Sequence, residues 1–108
     1  MLLNGVVQRK LSLLDDEVSR LERYMGGVTL EAFKADELLR LGIERMLQVA
    51  VEIVIDIAER LIAIRGAGPV ASAAEAIDRL VALGILQSST PYHDMIRFRN
   101  RIVHEYET

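Results

Sequence analysis

Apolar residues recur along the first part of the chain in alternating steps of four and three. The positions are Val7, Leu11, Leu14, Val18, Leu21 and Met25, with charged residues between them. This spacing marks one face of an α-helix and predicts an amphipathic helix over about residues 2–24. Gly26 and Gly27 are expected to end that helix. Thr29 is the expected N-cap of the next helix, with Glu31 in its first turn.

A second helix is predicted over residues 30–65, bent or divided near Gly42 and about 50 Å long at about 1.5 Å per residue. Apolar side chains cover about two-thirds of its circumference between residues 46 and 64, so several sides must be covered. Five of its polar residues form one narrow stripe: Glu44, Gln48, Glu52, Asp56 and Glu59. That stripe is either a solvated edge or a partner for buried arginines. We reject a membrane span because the apolar run is interrupted at helical spacing by Gln48, Glu52, Asp56, Glu59 and Arg60.

Two further helices are predicted over residues 71–83 and from residue 90 to the end. The core face of the first is Ala73, Ala76, Ile77, Leu80 and Leu83, and Gly84 is expected to close it. Thr90 as N-cap and Pro91 at the first helical position open the second. Four helices with short links predict an all-α, antiparallel four-helix bundle with one long central helix.

Composition limits the class of protein. The chain has 108 residues, 51% of them apolar, with a formal net charge of −3 and no cysteine. This size predicts one domain over residues 1–108 and favours an oligomer over a monomer. The acidic balance argues against general electrostatic coating of nucleic acid, so any contact with phosphates must be focal. The absence of a signal-peptide pattern and of cysteine predicts a cytoplasmic protein without membrane attachment.

The last helix carries the candidate chemistry. Its expected core face is Met95, Phe98, Ile102, Val103 and Tyr106, and Arg99 lies in the middle of that face. A guanidinium among apolar side chains needs a compensating partner, since a buried unpaired charge costs several kcal/mol. One interpretation is an internal ion pair with Glu52 or Asp56. The alternative is a cleft in which Arg99 binds an anion.

His104 follows Arg99 by five residues, which places it about 140° around the helix, whereas Asn100 shares the face of His104. One helix cannot aim both Arg99 and His104 at a single atom. Two copies related by a two-fold axis could offer an arginine and a histidine from each chain to one groove. An exposed or interfacial imidazole is the alternative for His104; its functional role would be proton transfer.

Other catalytic classes fit poorly. His93 and His104 are about 16 Å apart along one helix, too far to share a metal ion. No strand-turn-helix context supports a serine nucleophile, and no phosphate-binding loop occurs. The remaining arginine and histidine suit phosphodiester cleavage in RNA, in which the 2′-hydroxyl attacks, imidazole moves protons and guanidinium offsets charge on phosphorus.

The stretch from Arg99 to Tyr106 fits the pattern arginine, four residues, histidine, any residue, tyrosine. Together with Asn100 and the acidic residues of the second helix, it resembles HEPN-domain toxins of the HepT type, from about residue 30 onward. The resemblance implies an all-helical dimer with a metal-independent ribonuclease site at the subunit interface. Arg99 and His104 would be catalytic, with Asn100, Arg97 and Arg101 in support. Members of that family continue into a further helix, so we expect a truncated or compact form here.

The same resemblance implies a partner. In that family a minimal nucleotidyltransferase acts as antitoxin and transfers AMP to the motif tyrosine, here Tyr106, so ATP would be used by the partner and no cofactor by this chain. Bulk and negative charge beside Arg99 and His104 would block a phosphate-binding groove. Tyr106 is equally interpreted as a core aromatic residue, which is compatible. Two rival classes are a non-catalytic helical module that binds the nucleotidyltransferase, and a nucleotide-binding helical domain.

Overall fold

The protein is entirely helical over the residues described. The computed structural model describes residues 5–107, apart from the side chains of residue 103 and of residues 105–107. It contains α1 (Gly5–Met25), α2 (Leu30–Ala35), α3 (Glu37–Ile64), α4 (Ala73–Ala82) and α5 (Thr90–Glu107). The predicted all-α class is therefore confirmed. Five helices stand where four were predicted, and the antiparallel bundle and the homodimer stay predictions.

The second predicted helix is divided at Asp36, and the prediction of a division near Gly42 was wrong. The Asp36 backbone is extended, yet its N–H still donates to Ala32 at the end of α2. Its carboxylate accepts a hydrogen bond from the backbone N–H of Leu39, 3.1 Å away, and so caps α3. Aspartate competes well for helix N-termini because its side chain satisfies an otherwise unpaired N–H. Gly42 lies inside α3 without breaking it.

Glycines and caps set the other helix ends close to the predicted positions. The Gly26 N–H donates to Glu22 at the end of α1, and Gly27 has a φ of +80°. Thr29 accepts from the backbone N–H of Ala32, which confirms the predicted N-cap of α2. Gly84, with a φ of +77°, follows α4 and confirms the predicted stop. A left-handed residue at this place lets the chain leave the helix with its last carbonyls satisfied.

Two predicted helix starts were wrong by one or two residues. Ser72 accepts a hydrogen bond from the Glu75 backbone N–H, so α4 begins at Ala73 and not at residue 71. Thr90 is the first residue of α5 and not its N-cap. The carbonyl of Ser89 accepts the first helical hydrogen bond, from His93 at 2.9 Å. In both cases a serine within two residues of the expected start accepts a hydrogen bond that begins the helix. The acceptor is the side chain of Ser72 for α4 and the backbone carbonyl of Ser89 for α5.

The main core lies between α3, α4 and α5. Its buried residues are Val51, Ile55, Ala58 and Ile62 of α3, Ala76, Ile77 and Leu80 of α4, and Ile96 of α5. The expected core face of the last helix is confirmed at Ile102, which is 2% exposed, whereas Met95 and Phe98 are half-buried. Ile96 is buried and was missed. Val103 and Tyr106 have side chains outside those described.

An open apolar trough separates α1 from α5. Its walls are Val18 and Leu21 of α1, Leu47, Ala50 and Val51 of α3, and Met95 and Phe98 of α5, around a volume of about 420 Å³. Among the described residues, α1 and α5 both pack on α3 but not on each other. Because the trough is uncovered, its wall residue Val18 is 40% exposed.

The acidic stripe of α3 runs along its outer side. Glu52 and Glu59 are exposed, whereas Glu44, Gln48 and Asp56 are half-buried. Within residues 5–107, no helix combines the length and the apolar character that crossing a bilayer requires. The stripe thus gives α3 a polar edge that reaches both α1 and α5.

Candidate functional site

Arg99 points from α5 toward α3. Its Nη1 atom lies 3.0 Å from Oε1 of Glu52, and its side chain is only 22% exposed. The Nε atom is buried and has no hydrogen-bond partner in the structure. A half-buried guanidinium with one carboxylate contact still has donors to offer, because the fork carries five N–H groups. The charge of Arg99 is therefore balanced, but its hydrogen-bonding capacity is not used up.

Asp56 occupies the next position of the acidic stripe and has different partners. Its carboxylate contacts Lys10 of α1 at 2.5 Å and Arg60 of α3 at 3.2 Å. The hydrogen bond from Lys10 lowers the pKa of Asp56 below its ordinary value, and the positive charge of Arg60 acts in the same direction against partial desolvation. Of the two partners predicted for Arg99, the structure brings Glu52 to it and uses Asp56 to join α1 to α3.

The other predicted site residues lie on the solvent side of α5. Arg97, Asn100, Arg101 and His104 are all exposed. Arg97 contacts Asp94, one turn earlier, and its side chain remains 76% exposed. His104 is about 140° around the helix from Arg99. Arg99 is half-buried against α3 while His104 is exposed, so one chain places the two side chains in different surroundings. The side chain of Tyr106 lies outside those described.

From the sequence, His93 was considered only as a possible metal ligand. His93 of α5 has its Nε2 atom 3.0 Å from Oδ1 of Asp78 on α4. That nitrogen is buried and the carboxylate is not aligned for a hydrogen bond, so the contact is a charge pair when the imidazole is protonated. Among the described side chains, no three histidine, aspartate or glutamate residues converge as metal ligands. No feature of the sequence predicts this pairing, because Asp78 is fifteen residues away from His93 and lies on another helix.

A comparison with protein families shows to which family the chain belongs. A family model described as "Ribonuclease HepT-like" matches residues 14–108. The chain belongs to this family. No curated protein and no solved structure matches the chain significantly. The resemblance that Arg99 to Tyr106 suggested is confirmed at the level of the family, and membership implies ribonuclease activity.

The matched range tells which parts of this HepT-like chain the family relationship covers. It begins at Leu14, inside α1, and includes all of α2 to α5. Arg99, His104 and their ion-pair partner Glu52 all lie within it. The Lys10 contact to Asp56 involves a residue before the matched range. The candidate site therefore belongs to the part of the HepT-like chain that the family shares.

Proposed function

We propose that this HepT-like protein is a metal-independent endoribonuclease and the toxin of a toxin–antitoxin pair. The observation that carries the proposal is the family match over the helix that bears Arg99 and His104. Arginine and histidine are the two residue types that phosphodiester cleavage needs when the nucleophile is the 2′-hydroxyl of the RNA itself. His104 is exposed, and Arg99 keeps unused donors beside a single carboxylate.

The chemistry assigns a distinct role to each residue. His104 accepts the proton of the 2′-hydroxyl while the 2′-oxygen bonds to phosphorus, and a protonated imidazole donates to the 5′-oxygen as its bond to phosphorus breaks. Arg99 stabilises the additional negative charge on the pentacoordinate phosphorus. Asn100, on the face of His104, orients the imidazole or contacts phosphate. Arg97 and Arg101 are exposed and extend the positive charge along the RNA.

A second subunit is needed to complete this site. Within one chain the two catalytic side chains point about 140° apart. A two-fold homodimer in which two α5 helices line one groove would bring Arg99 of each subunit to His104 of the other. Supporting this, the chain exposes large apolar side chains, among them Leu13, Tyr24, Met25, Leu30 and Leu38. A dimer interface that covers such side chains would remove their apolar surface from water.

The phosphate must compete with Glu52 for Arg99. The contact at 3.0 Å neutralises the guanidinium in the absence of RNA. Arginine can bind a carboxylate with one edge and a phosphate with its other N–H groups. We therefore assign Glu52 the role of holding Arg99 in place while reducing its attraction for anions.

The activity is tested by replacing His104. In a buffer with EDTA, wild-type protein should cleave RNA, and His104→Ala should reduce the rate at least about a hundredfold, the usual contribution of a general acid–base. Circular dichroism and the mass in solution should be unchanged, because His104 is exposed. Intact RNA after incubation with wild-type protein would reject the nuclease proposal.

Inhibition would come from a minimal nucleotidyltransferase that uses ATP to transfer AMP to Tyr106, two residues after His104. An added phosphate and nucleoside there would repel RNA and fill the groove. Co-expression with a small nucleotidyltransferase encoded beside this chain should add the mass of one AMP, and Tyr106→Phe should prevent the addition. An unmodified wild-type chain from an active nucleotidyltransferase would contradict this mode of inhibition.

The Arg99–Glu52 contact also favours a second candidate, a non-catalytic module that binds the nucleotidyltransferase. In that case the ion pair is purely structural. Arg99→Ala would then lower stability and partner binding, and wild-type protein would leave RNA intact in any buffer. Cleavage of RNA by wild-type protein, lost in His104→Ala, decides against this candidate.

A further inference from the structure

The solvent side of α5 carries a second histidine in line with the first. His93, Arg97, Asn100 and His104 follow one another at steps of four, three and four residues. At about 100° per residue they fall within an arc of about 60°. We call these four residues the polar stripe. His93 is half-buried and the other three are exposed, so the polar stripe runs from the surface near His104 into a recess near the start of α5.

That recess is a cleft between α4 and α5. It is open to solvent, has a volume of about 220 Å³, and is lined by His93, Arg97 and Asn100 together with Ile96 and Ala74. Ile96 is buried at 6% exposure and belongs to the main core. The cleft thus has a fixed apolar floor and side walls of a cation, an imidazole and an amide. Nucleotides present the matching combination of a flat apolar base and a charged phosphate.

The ion pairs at the cleft do not prevent an anion from entering. Arg97 contacts Asp94 while 76% of its own side chain and 62% of that of Asp94 remain exposed. Asp78, which faces His93, is 59% exposed. Exposed ion pairs contribute little because water screens both charges. A phosphate can therefore replace Asp94 as the partner of Arg97 at little cost.

We infer that the α4–α5 cleft is a subsite for a nucleotide of single-stranded RNA next to the one that is cleaved, with Arg97 on its phosphate, His93 in the wall beside it and Ile96 under its base. The inference rests on the proposed function, which supplies RNA as the ligand. Along α5, His93 and His104 are about 16 Å apart, several times the axial rise of about 3.4 Å per nucleotide of a duplex strand. The polar stripe is long enough to guide a strand from the subsite to the catalytic histidine.

The test measures binding without cleavage. The probe is a single-stranded 2′-O-methyl RNA oligonucleotide of about ten nucleotides, which lacks the attacking hydroxyl. Arg97→Gln and His93→Gln should each weaken binding by about fivefold, and Arg97→Gln should reduce the slope of log K against log salt by about 0.7, the value for one lost phosphate contact. The matched control is Arg20→Gln, because Arg20 also pairs with an acidic residue three positions earlier but lies on α1. It should change neither quantity.

Asp78→Asn distinguishes a subsite from a structural contact between helices. If His93 and Asp78 only hold α5 to α4, His93→Gln and Asp78→Asn should lower the melting temperature together and change RNA binding in the same direction. In a phosphate subsite, Asp78→Asn removes a competing negative charge and should tighten binding by about twofold. A loss of binding in both variants, or no change in His93→Gln and Arg97→Gln, would overturn the inference.

The subsite and the nuclease proposal are tested by different measurements. Cleavage of unmodified RNA by wild-type protein in EDTA tests the nuclease, whereas the 2′-O-methyl probe reports binding alone. An inactive protein with the expected pattern of binding would retain the subsite and reject the nuclease. An active protein whose probe binding is unchanged in His93→Gln and Arg97→Gln would retain the nuclease and reject the subsite.

Discussion

Arg99 occupies a position where a charge is costly and is retained with one carboxylate beside it. Only 22% of its side chain is exposed, and Glu52 is 3.0 Å away. Glu52 is itself 47% exposed, so the pair stands at the boundary between core and solvent. Such a pair is less stabilising than its distance suggests, because water screens the exposed partner. In the proposed site, the contact would control the charge that Arg99 shows to an approaching phosphate.

Replacing Glu52 by glutamine should therefore affect stability and RNA binding in opposite directions. Loss of the negative charge leaves Arg99 half-buried without a counter-charge, which should lower the free energy of unfolding by about 1 kcal/mol. The same change should tighten binding of a 2′-O-methyl RNA oligonucleotide several-fold. Urea unfolding and fluorescence anisotropy measure the two effects. Glu59→Gln is the control, since Glu59 is exposed on the same stripe; equal effects in both variants would contradict the role given to Glu52.

The contacts of Asp56 predict a dependence of stability on pH. Its pKa is lower in the folded protein than the value of about 3.9 expected for the unfolded chain. A carboxyl shifted in this direction stabilises the fold above its unfolded pKa, and the contribution is lost as the pH falls through the folded pKa. Asp56→Asn should lower the free energy of unfolding by up to about 1 kcal/mol at neutral pH. The difference from wild type should shrink below about pH 4.

Urea unfolding over that range of pH measures the effect. Asp16→Asn serves as control, because Asp16 is exposed on α1, and it should give a small difference that hardly changes with pH. A deficit of Asp56→Asn that persists in full at the lowest pH would show that the lost contact is not the ionic one.

Sequence spacing limited the partner of Arg99 to Glu52 or Asp56 without deciding between them, but was enough to single out Arg99 and His104. Both residues lie on one helix, whose period relates them directly. Glu52 and Asp56 are one turn apart on another helix, and either could face Arg99 until the register of α3 against α5 is known. The same limit hid the contact of His93 with Asp78, which depends on how α4 packs on α5. Pairing between helices is a property of packing, and a single helical pattern does not contain it.

At the scale of the helices, apolar periodicity and turn residues predicted most of the elements. The glycines after α1 and α4 end those helices as expected because they adopt positive φ. The missed division at Asp36 has a different origin. No glycine or proline marks it, and a helix could have continued through it. The aspartate ends one helix and caps the next. The local hydrogen bond from the Leu39 N–H to its carboxylate is favoured over one continuous helix.

Asp36→Ala should accordingly destabilise the junction of α2 and α3. The substitution removes the acceptor for the Leu39 N–H and should lower the free energy of unfolding by about 1 kcal/mol, the usual value for an N-cap. Asp36→Asn and Asp36→Ser retain an acceptor and should lie within a few tenths of a kcal/mol of wild type. Urea unfolding of the three variants provides the measurement. If alanine is as stable as asparagine, the hydrogen bond to Leu39 is not what holds the junction.

At the scale of the whole molecule, the proposed catalytic residues Arg99 and His104 lie on two sides of α5. The core of α3, α4 and α5 holds α5 in place, with Ile96 and Ile102 buried, and rotation of a helix does not change the angle between two of its own side chains. Assembly through a second subunit keeps that core intact.

Mixed dimers test this arrangement. Arg99→Ala and His104→Ala proteins should each be inactive, but co-expressed and purified through two different tags they should regain a measurable fraction of wild-type cleavage. The mixed dimer retains one Arg99 and one His104, on opposite subunits, which is the combination that a shared groove requires. The matched control pairs wild type with the Arg99→Ala, His104→Ala double variant, whose remaining arginine and histidine share one chain and cannot meet. Activity in this control but not in the first mixture would show that each chain builds its own site.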